Sequence, residues 1–585
     1  MTALQPLQQG RDVEDVVGRG LTLLFRGALA LIRQLPDNTL RAGARALFSK
    51  SWRTFEEASA DPQAAQEARL QQILARNAQT AFGREHGFSS ITSLEQLAEK
   101  VPVRTWTEFA PYARRMVEGE KDVLCAEEVF YFARSSGTTG EPKNIPVTAS
   151  YIDEFRHGRR VWMRQVAQVM PAGIKGHLLT VHSPNIEGYT PSGVPYGSIT
   201  VAMGSGREDA TGYDPVPRDV FRLSNYSARY YLALRFALEK PISVWAAVNP
   251  STLVLLAQVL TRHASELARD VESGTLWDGL ALTPDERTRF SARLGRNRDA
   301  AKRLLDSVQK HGVARPVDIW PSLCGVLCWK GGSAPFYLEQ IQKLMPGLPI
   351  MDYGYVASEG CFTTPLDAGD AQGVALAAGH VLEFIPVDAY EAGSRATVPL
   401  WKLEQGGRYV VVITGSHGLT RYDMQDVVEV RGFHHKAPLL AFLHKSGNMV
   451  SITGEKVGES HVVDAVTAAC QGLGLTLRGF CVAPELTNPP RYVFAVESQP
   501  PLAPEVREKL LRACDEALCN VNIEYRAKRE SLRLGEPVLR ELPPGAFERH
   551  RARRVAAGAP DAHVKPPHLG RTLALVEELG RTENA

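Results

Sequence analysis

The chain has 585 residues, with 67 Lys and Arg against 65 Asp and Glu, a net charge of +2. At 44% hydrophobic and 23% charged it has the composition of a globular protein. That balance excludes disorder as the dominant state and excludes coating nucleic acid as the main task. Length alone suggests about four domain-sized units, or equally a large enzyme domain with a smaller partner.

Eight cysteines are scattered along the chain and none forms a CxxC pair. Cys324 and Cys328 have no nearby Cys/His pair to complete a zinc site. Small buried thiols in a reducing compartment, and a cytoplasmic location, are expected. The N-terminus carries no secretory pattern. Its hydrophobic stretch, Leu21 to Leu35, is interrupted by Arg26 and Arg33 and is too short and charged to span a bilayer. A packed amphipathic helix is expected there, with docking on a membrane surface as the alternative.

In chain order, residues 1–100 read as helical, and 101–132 are mixed. Helical spacing resumes at 150–170. His177 to Val181 and Ile242 to Val248 read as strands. Tyr226 to Leu238, Ser251 to Leu267 and residues 298–311 read as helices. Val326 to Trp329 and Pro349 to Tyr353 are short strands, so strand alternates with helix, which favours a parallel, helix-covered sheet. Between His380 and Val430 the runs VLEFIPV, RYVVVIT and DVVEV predict an antiparallel or barrel-like subdomain. The remainder mixes smaller pieces: a strand at Met449 to Ile452, a helix from Glu459, a strand at Tyr492 to Val496 and a helix from Pro504. The fold class expected is α/β: a large N-terminal domain, 1–445, with a smaller α+β domain, 446–585, joined near Lys445-Ser446-Gly447. The basic run Arg549 to Arg554 reads as a solvated face.

Three patches carry chemistry. Ser135-Ser136-Gly137-Thr138-Thr139-Gly140-Glu141-Pro142-Lys143 combines hydroxyls, glycines and a lysine, a combination suited to phosphate oxygens, in an order unlike Walker A. Asp352-Tyr353-Gly354 with Ser358-Glu359-Gly360 places an aromatic beside Gly, able to lie on a flat base, and a carboxylate able to hold a hard divalent cation. Thr420-Arg421-Tyr422-Asp423-Met424-Gln425-Asp426 precedes a β-run and offers a carboxylate for ribose hydroxyls.

In this order the patches resemble the adenylate-forming superfamily, which includes acyl-CoA synthetases, luciferases and peptide-synthetase adenylation domains. Within it the chain is most similar to the Gretchen Hagen family of acyl acid amido synthetases, the auxin-responsive family of plants. The similar text runs from Val101-Pro-Val through Glu383-Phe-Ile-Pro386 and Gly432-Phe433-His434 to Lys565-Pro566, nearly the whole chain. The first loop is one residue shorter than the usual plant version. Gln425 and Thr420 stand where Gly and an aromatic are common, and Tyr353 is separated from Ser358 by one or two more residues than in most relatives.

The resemblance implies a reaction in two halves, with ATP and Mg²⁺. A small carboxylic acid is adenylated, and an amino acid amine then takes the acyl group. It also implies roles: Ser135, Ser136, Gly137, Thr138, Thr139, Gly332 and Ser333 around the nucleotide, with Lys143 at the leaving pyrophosphate. Glu359 is the Mg²⁺ ligand. Tyr353 and Gly354, with Ser358, flank adenine, and Asp426, supported by Arg421, holds the ribose. Lys456 and Lys565 are the C-terminal lysines that swing in on the adenylate. Arg160, Arg164 and Trp329 are candidates for the acyl pocket, Trp329 reading first as core. Substrates are the expected partners, with no nucleic acid and no transmembrane segment, and a monomer is favoured. The competing readings are an acid–thiol ligase making acyl-CoA, and a degenerate nucleotide or small-acid binder.

Overall fold

The computed structural model describes residues 31–581 apart from 136–142, 182–185, 200–201, 203–212, 249, 332–333, 447–448, 451–456, 488–489, 531–533, 558–563 and 565–567. Most of the stretch from Leu21 to Leu35 lies outside the described residues.

Helices Asp37–Leu47, Ser49–Ala60, Pro62–Asn77 and Leu94–Lys100 account for the N-terminal helical text. Pro62–Asn77 begins where Asp61 accepts from the Ala64 N–H at 3.2 Å, with Pro62 at the first position, and it buries Leu70, Ile73 and Leu74. The mixed stretch after Val101 holds one further helix, Trp106–Val117. A reciprocal Thr105/Glu108 cap starts it.

Strands β1 (Tyr131–Ser135) and β2 (Lys143–Val147) pair antiparallel. The helix Ala149–Val169 follows, then β3 (His177–Thr180). The Gly/Pro-rich text contributes a hairpin, β4 (Gly188–Tyr189) and β5 (Pro195–Gly197), and β5 joins β1 in parallel. Next come β6 (Ile242–Ala246), β7 (Gly325–Leu327) and β8 (Ile350–Met351). With β3 they form the expected parallel sheet, ordered β3-β6-β7-β8. The helix expected across 251–267 is two, Pro250–Arg262 and Ala264–Ser273. His263 leaves helical dihedrals between them (φ −110°, ψ 28°), and its ring packs between Tyr231 and Trp277. Tertiary packing overrides a continuous helical pattern here.

After the short hairpin β9 (Val356–Ala357) and β10 (Gly360–Cys361) the chain builds a seven-stranded antiparallel sheet. Its strands are β11 (Thr363–Thr364), β12 (Gly373–Ala375), β13 (Val381–Pro386), β14 (Val398–Pro399), β15 (Arg408–Thr414), β16 (Tyr422–His434) and β17 (Ala437–Lys445), in the order β11-β12-β17-β16-β15-β13-β14. It extends beyond 380–430 on both sides, because the two-residue β11 is too short to show a period in sequence. β17 ends at Lys445.

Past residue 445 come the bridge pair Met449–Val450 and Val457–Gly458, the helix Glu459–Leu473, a three-stranded sheet of Gly479–Glu485, Arg491–Glu497 and Val538–Glu541, and the helix Pro504–Val521. The largest core runs from the parallel sheet (Trp245, Val326) into this region (Val462, Phe480). A second core joins the N-terminal helices to the antiparallel sheet. All eight cysteines are free. No helix among the described residues is long and apolar enough to cross a membrane.

The turn between β15 and β16 packs directly against the segment that leads into β1. Gly418 has φ +92°, and a Cβ there would lie 2.3 Å from the backbone oxygen of Leu124. Neither the dihedral nor the backbone contact can yield cheaply. Gly418→Ala is therefore expected to destabilise the chain by about 2–4 kcal/mol, read as a lower urea midpoint.

Candidate active site

The phosphate-type patch lies on the β1–β2 hairpin. Ser135 pairs with Lys143 across the two strands, at the end of their ladder. Ser136, Gly137, Thr138 and Thr139 are outside the described residues, as are Gly332, Ser333, Lys456 and Lys565. Lys143 is described. Its Nζ donates to the Tyr422 hydroxyl at 2.9 Å and lies 5.6 Å from the ring centre. This contact ties the end of β2 to the start of β16, 279 residues away in sequence.

Tyr422 is buried, and its hydroxyl is held protonated well above the usual tyrosine range. Burial is the main cause, and the nearby carboxylates of Glu359, Asp426 and Asp423 add to it. Tyr355 is held protonated in the same way, by burial and by Asp426 and Glu359. It donates to Asp426 Oδ2 at 2.6 Å. Glu359, Asp426 and Lys143 thus meet around two buried phenols.

The turn carrying Glu359 is held by groups that sequence reasoning misses. The Tyr151 hydroxyl donates to the Ser358 carbonyl at 2.7 Å. The His417 ring Nε2 lies 2.9 Å from the Glu359 carbonyl, which makes Nε2 the protonated nitrogen. Burial lowers the His417 pKa to about 4, so the ring stays neutral. Tyr151 stacks on His417 with ring centres 5.2 Å apart. No spacing rule links residues 151, 358 and 417. Only the fold brings them together.

Asp426 is aimed by an irregularity in β16. Val412 pairs with Asp423 and Val410 with Val427, so residues 424–426 bulge opposite one residue of β15. Gln425 has φ +55°, the left-handed conformation in which Gly is free and other residues are strained. Its N–H donates to Asp423 Oδ1 at 2.8 Å, and its carbonyl accepts from the Ser446 N–H at 2.6 Å. Gln425 therefore adopts the backbone shape that the commoner Gly would take, held there by these two bonds.

Several expectations are corrected. Arg421 does not reach Asp426. Its guanidinium is buried, with all five N–H groups taken by the Glu383 carboxylate (3.0–3.2 Å), the Ala98 and Val101 carbonyls and the Thr397 hydroxyl. Tyr353 is not beside Asp426 either. Its ring stacks on Trp162 at 5.2 Å in a separate apolar cluster. The tyrosine that bonds Asp426 is Tyr355, at 2.6 Å. Counting from Tyr355 shortens the separation from Ser358 by two residues and removes the unusual spacing. Arg160 is exposed, and Arg164 lies over Trp52, 3.8 Å from its ring centre. The inward arginine of this helix is Arg159, 3.8 Å from the Trp162 ring centre.

Trp329 lines a small cleft with Asp352, Gly354, Tyr355 and Phe442, its ring 5.4 Å from Phe442. Gly354 (φ +79°) presses against the Thr363 carbonyl, where a Cβ would sit 2.6 Å away. Burial pushes the Asp352 carboxyl up to about 6, although three backbone N–H groups favour its charged form. A larger cleft of about 580 Å³ separates the antiparallel sheet (Arg408, Arg431, Phe442) from the C-terminal helix carrying His461 and Asp464.

Comparison with known proteins gives three family matches: the GH3 family N-terminal domain over residues 51–350, the central domain over 373–445 and the C-terminal domain over 460–573. A probable indole-3-acetic acid-amido synthetase GH3.1 of Arabidopsis thaliana is 26% identical over 559 residues, covering 91% of this chain and 93% of that one. A probable indole-3-acetic acid-amido synthetase GH3.4 of Oryza sativa subsp. japonica is 27% identical over 554 residues, covering 88% and 87%. Among solved structures, the GH3.15 acyl acid amido synthetase shares this fold with a TM-score of 0.77 at 22% identity, covering 90% of this chain and 94% of that one.

The geometry carries two expected outcomes. Arg421→Met leaves the buried Glu383 carboxylate without its counter-charge, so it is expected to destabilise the fold by about 3–5 kcal/mol in urea titrations. A loss confined to nucleotide affinity would contradict the assignment of Arg421 to the core. Asp352 has a folded pKa raised above its unfolded value near 3.9. Between about pH 4 and 6 the folded chain holds a proton that the unfolded chain has lost, so this group's stabilising contribution falls as pH rises and grows on acidification. From pH 7 to 5, the unfolding free energy of wild type is expected to gain about 1 kcal/mol relative to Asp352→Asn.

Proposed function

The chain belongs to the GH3 family, and we propose on that premise that it is an ATP-dependent acyl acid amido synthetase. It joins a small carboxylic acid to an amino acid. The observation that carries the site assignment is the convergence of Lys143, Glu359 and Asp426, from three distant segments, around the buried Tyr355 and Tyr422 hydroxyls.

In the first half-reaction a carboxylate oxygen of the acid attacks the α-phosphorus of ATP. The bond to the bridging oxygen of the β-phosphate breaks, and pyrophosphate leaves. In the second, the amino acid nitrogen attacks the acyl carbon, the bond to AMP breaks, and the nitrogen gives its proton to solvent. The protein's work is positioning and charge neutralisation. Lys143, at the mouth of the β1–β2 loop, stabilises the departing pyrophosphate. Asp426 accepts from the ribose hydroxyls, with Tyr355 fixing its orientation. Glu359 offers hard carboxylate oxygens, which fit Mg²⁺. Glu359 would hold the ion, which supplies charge neutralisation across the phosphates. Tyr355, Trp329 and Phe442 offer flat walls for the base.

Residues 446–585 act in this reading as a lid. Lys456 and Lys565 are its lysines for the adenylate, one for each half-reaction. Trp162, Tyr353 and Arg159 form an aromatic wall with one cation for the acid.

The test is pyrophosphate release across a panel of acids, each crossed with the twenty amino acids or with coenzyme A, with products read by mass. Release dependent on acid, with an amide and no thioester, is expected. A thioester without amide would establish the acid–thiol ligase instead, and no release with any acid would establish the degenerate binder. Lys143→Ala is expected to slow adenylate formation roughly 10- to 100-fold, and Asp426→Ala to weaken ATP binding. Normal release in both variants overturns the site assignment.

A further inference from the structure

At the far end of β16, away from the nucleotide residues, three metal-ligating side chains meet. His434 Nε2 lies 2.9 Å from Glu56 Oε1, and His435 Nε2 lies 3.0 Å from Glu56 Oε2. The imidazole centres are 4.5 Å apart. Among the described residues this is the one group of three or more His, Cys, Asp or Glu side chains whose ligand atoms all fall within 4.8 Å of one another.

Two adjacent residues of a strand normally point to opposite faces. His434 and His435 do not, because His435 has φ +53° in the two-residue turn joining β16 to β17. His434 pairs with Ala437 across that turn. A turn with positive φ at its first central residue is the type that favours Gly there, and a histidine in that place is strained. The dihedral brings the second imidazole round to the side of the first. The third group comes from the helix Ser49–Ala60, which is fixed to the turn independently by the Lys436 N–H donating to the Ser59 carbonyl at 2.9 Å. Phe55 stacks on His434, with ring centres 5.6 Å apart, and orients it. Glu56 and His434 are half-buried and His435 is exposed, so the cluster opens to solvent.

We propose that Glu56, His434 and His435 form a binding site for a divalent transition cation of the zinc type. Two imidazole nitrogens and one carboxylate oxygen are a donor set suited to Zn²⁺, and water fills the fourth position. Tetrahedral bonds to nitrogen and oxygen set neighbouring ligands roughly 3.3 Å apart. The present 2.9 and 3.0 Å separations therefore need to open by only a few tenths of an ångström, and all three ligand atoms already lie within 4.8 Å of one another. Binding replaces the two N–H···O contacts with metal bonds, and each neutral ring keeps its single proton by carrying it on Nδ1 in place of Nε2, the exchange passing through solvent. The ion pins the end of β16 to the N-terminal helices. This site does not depend on the proposed activity.

The experiment uses tag-free, full-length protein stripped with chelator and titrated with Zn²⁺ alone, without ATP or Mg²⁺. Bound metal is measured by equilibrium dialysis and elemental analysis. His435→Gly removes one ligand and suits the positive φ, so it is expected to fold with a metal-free melting temperature equal to or above that of wild type. Wild type is expected to take up one equivalent and to melt at higher temperature when loaded. His435→Gly and Glu56→Gln are expected to bind that equivalent about 10- to 100-fold more weakly. No saturable uptake by wild type overturns the proposal, and so does equal uptake by wild type and His435→Gly.

Discussion

The course of β16 depends on where the guanidinium of Arg421 can go. It is buried at the start of β16, where an unpaired charge is intolerable. Its five donors are taken by Glu383 on β13, by two carbonyls at the end of the helix Leu94–Lys100, and by Thr397. One side chain thereby fixes the entry to β16 against three other segments. The chain direction is set at that point, and the next five residues deliver Tyr422, Asp423 and Asp426. A lysine could not do this, because a single ammonium cannot span acceptors fixed so far apart.

β16 is also where backbone strain collects. Three of the four residues described as lying at positive φ without being Gly are Arg421, Gln425 and His435, and they stand just before, within and just after this strand. Each has a local reason. Arg421 is committed to its ion pair, Gln425 is held by Asp423 and Ser446, and His435 turns a hairpin. Strain of this kind persists only where surrounding contacts over-determine it. The density of those contacts makes β16 a rigid rail for the site.

Much of the architecture is legible in the sequence, for physical reasons. The parallel sheet announces itself through short apolar runs alternating with helical periods, and β13, β15 and β16 through their β-branched runs. Glu359 stands out because it lies between Ser358 and Gly360, Lys143 because it closes a run of hydroxyls and glycines, and Asp426 because it ends a polar run just before a β-run. Arg421, in that same polar run, misleads, since a sequence does not say which carboxylate an arginine will meet. Tyr353 and Tyr355 both flank Gly354, and text alone does not separate them. Only the register of the chain after β8 decides which ring faces Asp426. His417 and Tyr151 carry no sequence signal, because their role is a hydrogen bond to another residue's carbonyl.

The pairing of Asp426 with Lys445 closes the β16–β17 ladder at the residue where the antiparallel sheet ends. The next residue, Ser446, is already bonded to the Gln425 carbonyl. The chain therefore departs for its C-terminal part beside the backbone of Asp426, the residue proposed above to hold the ribose. If residues 446–585 serve as the proposed lid, that point would be its pivot, and a pivot is the part of a lever that travels least. Rotation about it would sweep the distant helices through a wide arc while Asp426 stayed almost still, so a nucleotide bound as proposed would stay held while its surroundings changed.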